Sequence, residues 1–129
     1  MSNPLCISSS RETDWRLEPR AFVAALRRRW PDAEVRLRVA GNEDSTLDFT
    51  LPSGEGYPLL CYLSADGQAV WISGATIAEA AEIAVWFRVL VPAEQELLFY
   101  DQAFSFDVPL TPGMTPAQVE AAVASFGDG

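Results

Sequence analysis

Hydrophobic and polar residues alternate over two neighbouring stretches of the chain, residues 34–39 and 46–51. Successive side chains of a β-strand point to opposite faces, so this pattern predicts two strands that each have one apolar face. The residues on the apolar faces are Val35, Leu37, Val39, Leu47, Phe49 and Leu51. Turn-forming residues at 41–45 separate the two strands and favour an antiparallel pair.

Two later stretches, residues 59–63 and 68–72, are predicted strands that are apolar on both faces. The sequence Ala65-Asp66-Gly67 between them is typical of a tight hairpin turn. One face must contact a helix, and the other must contact a second helix or another chain. Residues 96–100 and 104–108 predict a further hairpin.

Three helices are predicted from their start and stop signals. The first begins near Pro19, which suits the first helical position, and ends before Pro31. The second begins with a capping box, in which Thr76 and Glu79 satisfy each other's free amide groups. Thr115 repeats this capping pattern at the start of a short final helix.

These elements predict an α+β fold with a single antiparallel sheet of five to six strands and three helices. The expected order is α-β-β-β-β-α-β-β-α. Residues 16–127 are expected to form a single α+β domain. Residues 1–15 are polar and rich in serine, which predicts a flexible N-terminal arm, although Leu5 and Ile7 can pair with a sheet edge.

Charge is distributed unevenly along the chain. Residues 1–38 carry eight of the nine arginines against five acids, a balance of +3, whereas residues 39–129 carry one arginine against thirteen acids, a balance of −12. The resulting net charge of −9 argues against nucleic acid and anionic membrane as partners. The run at residues 27–29 has two interpretations: a solvated helix end that complements the helix dipole, or a patch that binds a partner.

Candidate catalytic groups are few. The chain has no histidine and no lysine, so the commonest general base and the commonest metal ligand are missing. Cys6 and Cys61 form neither a disulfide framework nor a zinc site, and they indicate a reduced, cytoplasmic protein. No stretch approaches the ~20 apolar residues of a membrane span. We therefore expect no enzyme activity, no cofactor and no metal site.

Aromatic residues are the strongest binding signal, because the chain has more of them than one face of a small sheet usually buries. Either all belong to the core, or some form a hydrophobic patch with an acidic rim, as in a protein interface. The candidate protein-binding residues are Tyr62, Trp71, Trp86, Asp44, Asp48, Glu55 and Asp66.

The element order resembles that of the type III secretion chaperones and the related YbjN-type α+β proteins. The resemblance is closest from Thr76 onward, where a capped helix precedes the hairpin at residues 97–108 and the turn at residues 111–116 leads into an amphipathic helix. It implies a homodimer without catalysis that binds an extended segment of a client protein along its sheet faces. It assigns no site residues.

Two classes of protein-binding function follow from these features. The first is a small bacterial chaperone-like module that binds an effector client, and the second is an immunity protein that neutralises a cationic toxin. A small enzyme that uses carboxylates is the least favoured reading. In either binding class we expect a protein partner and a homodimer.

Overall fold

Helices and strands account for most of the described chain. The computed structural model describes residues 4–9, 18–37, 45–52, 58–64, 68–103 and 105–127. The helices are α1 (Pro19–Arg29), α2 (Ile77–Leu90) and α3 (Pro116–Gly127). The strands are β1 (Leu5–Ser9), β2 (Glu34–Leu37), β3 (Ser45–Leu51), β4 (Leu59–Ser64), β5 (Ala69–Ser73), β6 (Leu97–Asp101) and β7 (Asp107–Leu110).

All of these strands belong to one antiparallel sheet, in the order β2-β3-β4-β5-β1-β6-β7. The α+β class, the single antiparallel sheet and the three helices are therefore confirmed for the described residues. The expected strand number and element order are wrong, because the sheet has seven strands and one of them precedes α1.

The additional strand is β1, which lies in the region expected to be a flexible arm. It is not at a sheet edge but between β5 and β6, where Ile7 pairs with Val70 on one side and Phe99 on the other. Leu5 and Ile7 are buried in the core. The sequence signal is weak because the strand is short and borders a serine-rich stretch. Its two partner strands lie far along the chain.

Capping interactions explain where the helices begin. The capping box of α2 is confirmed: the amide of Glu79 donates to the Thr76 hydroxyl at 3.1 Å, and the amide of Thr76 donates to the Glu79 carboxylate at 3.0 Å. Thr115 makes the equivalent exchange with Gln118 before α3. In α1, the Glu18 carboxylate accepts a hydrogen bond from the amide of Ala21, and Pro19 lies in the first turn as expected.

The helices cover one face of the sheet. Inward-facing residues of every strand except β2, whose Val35 is partly buried, join buried residues of all three helices in one hydrophobic cluster. Phe22 of α1 lies at its centre, with its ring 5.5 Å from that of Phe49 and 6.5 Å from that of Phe87. Side chains at the alternate positions of the strands therefore point away from the helices.

A buried arginine, Arg88, connects the end of α2 to β7 through hydrogen bonds. Arg88 is almost fully buried, and its guanidinium donates to the carbonyl oxygens of Gln95 at 2.7 Å, Val91 at 3.3 Å and Leu110 at 3.4 Å, and to that of Pro92. Burial lowers the pKa of this guanidinium, and nearby Glu94 opposes the shift. The side chain thus supplies donors to carbonyl groups of the segment that follows α2 and of β7.

Candidate protein-binding face

The strand residues that point away from the helices form a face that no described element covers; we call it the open face. Its central feature is a row of side chains in register across the whole sheet, one from each strand. From β2 to β7 the row is Arg36, Asp48, Tyr62, Trp71, Cys6, Tyr100 and Asp107. The row thus has charged residues towards its two ends and three aromatic rings in its middle.

The rings of Tyr62, Trp71 and Tyr100 form a continuous aromatic ridge. Tyr62 and Trp71 are stacked, with centroids 6.2 Å apart and ring planes at 19°, and Trp71 meets Tyr100 edge-on at 6.5 Å. Strands that flank a third strand lie about 9.6 Å apart, so Trp71 and Tyr100 lean towards each other across β1. The small Cys6 lies between them in the row and has no exposed surface.

A depression of about 500 Å³ lies beside the ridge, over β2 to β5. Leu60, at 58% exposure, is the most exposed large apolar side chain on this face among the described residues. Glu34 and Arg36 from the edge strand and Asp48 from β3 also line the depression. The open face therefore combines an apolar centre with charges of both signs, the composition of a protein interface.

The two thiols of the sheet, Cys6 in the central row and Cys61 in the core, are poor nucleophiles. Burial raises the pKa of Cys6 from 9.0 to about 11, against the opposing effect of hydrogen bonds with Tyr100 and Ser8. Burial also raises the pKa of Cys61 to about 12 and that of Tyr100 to about 12. The Tyr100 hydroxyl lies 3.0 Å from that of Ser8. All three groups remain protonated at neutral pH, so they offer packing and hydrogen bonds rather than nucleophilic chemistry.

These raised pKa values predict that the protein loses stability in alkali. Above pH 9 the unfolded chain releases its thiol protons while the folded protein keeps them, so the free energy of unfolding falls as pH rises, by up to about 1.4 kcal/mol per thiol per pH unit. The loss should continue to about pH 11 for Cys6 and about pH 12 for Cys61. Urea unfolding at a series of pH values measures it. Between pH 9 and pH 10, below the range in which Tyr100 contributes, Cys61→Ala should remove about half of the slope, and equal stability at pH 8 and pH 10 would contradict the prediction.

Several expected site residues lie together on the open face, and others do not. Tyr62, Trp71 and Asp48 are neighbours in the central row. Trp86 lies on the opposite side of the sheet, in the helix layer, where its ring contacts those of Phe22 at 5.4 Å and Trp30 at 5.1 Å. The structure therefore does not bring Trp86 together with Tyr62 and Trp71.

The structure describes the predicted arginine run of α1 but not the remaining predicted acidic residues. Asp44, Glu55 and Asp66 lie outside the described residues. The side chains at positions 27–29 are exposed in the last turn of α1, where Arg29 lies over the Trp30 ring and 3.7 Å from the Glu82 carboxylate. Both interpretations of this arginine run remain open.

Sequence reasoning missed Leu60, Cys6, Arg36, Tyr100 and Asp107 as members of one surface. Alternation along each strand gives the face of each residue, and this signal was present in β4, β6 and β7. It does not give the order of the strands. Only the insertion of β1 between β5 and β6 brings Tyr100 and Asp107 into line with Trp71.

Comparisons of the chain with protein-family models, curated proteins and solved structures give no match. Among the described residues, no cluster of three or more histidine, cysteine, aspartate or glutamate side chains is suited to hold a metal ion. No helix in the described ranges has the length and apolar character needed to cross a membrane.

Proposed function

We propose that this protein is a non-catalytic, chaperone-like module that binds another protein through its open face. The observation that carries the proposal is the aromatic ridge at the centre of a sheet face that the helices leave uncovered. Tryptophan and tyrosine at the centre of an interface contribute much of the binding energy in protein complexes. Tyr62, Trp71 and Tyr100 lie at such a position, and Leu60 extends the apolar surface.

The charges on the open face favour a protein over a nucleic acid. Its described charged residues are Arg36 from β2 and the acids Glu34, Asp48 and Asp107. Nucleic-acid binding needs several cations facing the phosphates, and a single arginine among three acids does not supply them. Together with the net charge of −9, the acids favour a partner whose contact surface is basic at its rim and apolar at its centre.

A flat sheet face suits an extended or flat protein surface better than a small molecule. Small-molecule sites usually enclose most of their ligand in a concave pocket. The open face has no such enclosed pocket among the described residues: the aromatic ridge and Leu60 border a depression on the surface of the sheet. We infer a protein client, in line with the secretion-chaperone resemblance. We also propose that the protein binds this client in the cytoplasm.

Site-specific photo-crosslinking in the native host tests the proposal. A photoreactive phenylalanine derivative at position 60 lies on the open face, and the same group at position 89 is a matched control. Val89 is 78% exposed, but it lies on α2, on the other side of the sheet. We expect a crosslink to a host protein from position 60 only. Equal or stronger crosslinks from position 89 would refute the proposal, and the captured protein's identity separates a secreted client from a toxin.

A further inference from the structure

We propose that, when no partner is bound, a second copy of this chain covers the open face, with a two-fold axis that runs parallel to the strands through β5. This inference rests on the proposed function, because it takes the open face to be a binding surface. It goes further by naming an occupant and a competition: the second copy and the partner exclude each other.

The order of charges along the central row supports this arrangement. β5 is the middle strand of the sheet, with β2 three places to one side and β7 three places to the other. Arg36 therefore lies as far from Trp71 on one side as Asp107 does on the other, and both are exposed. A two-fold axis parallel to the strands exchanges the two sides. It places Arg36 of each copy opposite Asp107 of the other.

The alternative symmetric arrangement is unfavourable. An in-plane axis perpendicular to the strands places each residue of the row opposite itself, so that Arg36 meets Arg36 and Asp107 meets Asp107. Like charges in direct opposition repel. The charge pattern of the row thus selects the axis that is parallel to the strands.

The middle of the row is complementary under the same axis. Trp71 meets Trp71 of the second copy at the centre, and the ring of Tyr62 lies opposite the point where the rings of Trp71 and Tyr100 lean together over Cys6. The carboxylate of Asp48 lies opposite the phenol of Tyr100. Aromatic rings therefore meet aromatic rings and an acceptor meets a hydroxyl, which is the self-complementarity that a two-fold interface requires.

The size of the open face indicates a weak dimer. Six strand spacings of about 4.8 Å and strands of about five residues give a face of about 29 by 17 Å, so two copies cover roughly 1,000 Å² in total. That area is at the lower limit for a specific interface. The net charge of −9 on each copy further opposes association. We expect a dissociation constant in the micromolar range and a dimer that a tighter-binding partner displaces.

Charge reversal at the two ends of the row tests the arrangement. Arg36→Asp and Asp107→Arg each place like charges opposite one another at both ends, and each should weaken the homodimer by roughly tenfold. In an equimolar mixture of the two variants, both contacts pair opposite charges again. Sedimentation equilibrium should therefore show heterodimers about as tight as the wild-type dimer.

Glu34→Arg is the matched control, since it reverses an exposed charge on the same strand and face, outside the central row. It should change the dissociation constant by less than about threefold. A wild-type protein that stays monomeric throughout the micromolar range overturns the inference, as does a mixture that forms no heterodimer. Either result leaves the proposed function standing if position 60 still crosslinks to a host protein, so the two failures are distinguishable.

Discussion

Trp71→Glu should lower the affinity for the protein partner by roughly 100-fold or more, which corresponds to about 3 kcal/mol. Trp71 is the middle ring of the aromatic ridge and contacts both Tyr62 and Tyr100. The substitution removes the largest side chain of the ridge and places a carboxylate where binding excludes water, and such a desolvated charge is unfavourable without a partner. Isothermal titration calorimetry with the captured partner measures the loss.

Two controls separate binding from folding in this experiment. Val89→Glu adds the same charge at an exposed position in the helix layer and should leave the affinity unchanged. Trp71→Ala removes the ring without adding a charge and should lose a smaller but clear part of the affinity. Circular dichroism checks that each variant is folded. If folded Trp71→Glu protein binds as tightly as wild type, the aromatic ridge is not the binding surface.

Arg88→Met should reduce the free energy of unfolding by about 3 kcal/mol, because it removes charge-assisted hydrogen bonds to several carbonyl oxygens and each buried acceptor left without a partner costs about 1–3 kcal/mol. The methionine preserves most of the aliphatic volume but leaves the carbonyl oxygens of Val91, Pro92, Gln95 and Leu110 without the guanidinium. Urea unfolding followed by circular dichroism measures the change in midpoint.

Arg29→Met is the matched control for this prediction. Arg29 is about half exposed, and its ion pair with Glu82 spans 3.7 Å, so the loss of this pair should cost less than about 1 kcal/mol. Arg88→Lys should lie between the two, since one ammonium group cannot reach all the carbonyls that two guanidinium nitrogens contact. Equal unfolding midpoints for Arg88→Met and Arg29→Met would show that the hydrogen bonds of the buried Arg88 do not stabilise the fold.

Local signals in the sequence were enough to predict the helices and the nearest strand pairs. Thr76 with Glu79 and Thr115 with Gln118 begin helices through contacts three residues apart, and these contacts are present. The β4–β5 pair follows from a short connection and apolar runs on both sides. Such elements depend on neighbouring residues, so one sequence contains most of their information.

The position of β1 depended instead on contacts between distant parts of the chain. Leu5 pairs with Ile72 and Asp101, and nothing in a five-residue stretch beside a serine run indicates those partners. The same limit applies to the candidate site. Tyr62 and Trp71 come from adjacent strands and are neighbours, whereas Tyr100 joins them only across β1.

Trp86 shows a different limit of sequence reasoning. Helix α2 is apolar on most sides, so its periodicity does not say which side contacts the sheet and which contacts another helix. The position of the Trp86 ring depends on how α1 packs against α2. The ring lies in the helix layer because it contacts the rings of Phe22 and Trp30 there. The apolar surface of α2 therefore indicates packing on more than one side but not where the ring of Trp86 lies.

The indole signals of the tryptophans in a nitrogen–proton correlation spectrum give the most direct test of the central claim, that the open face and not the helix layer binds the partner. Trp71 reports on the open face, whereas Trp30 and Trp86 report on the helix layer. Titration with the captured partner should shift or broaden the Trp71 signal and leave those of Trp30 and Trp86 in place. Changes at Trp30 and Trp86 with an unchanged Trp71 signal would contradict the account.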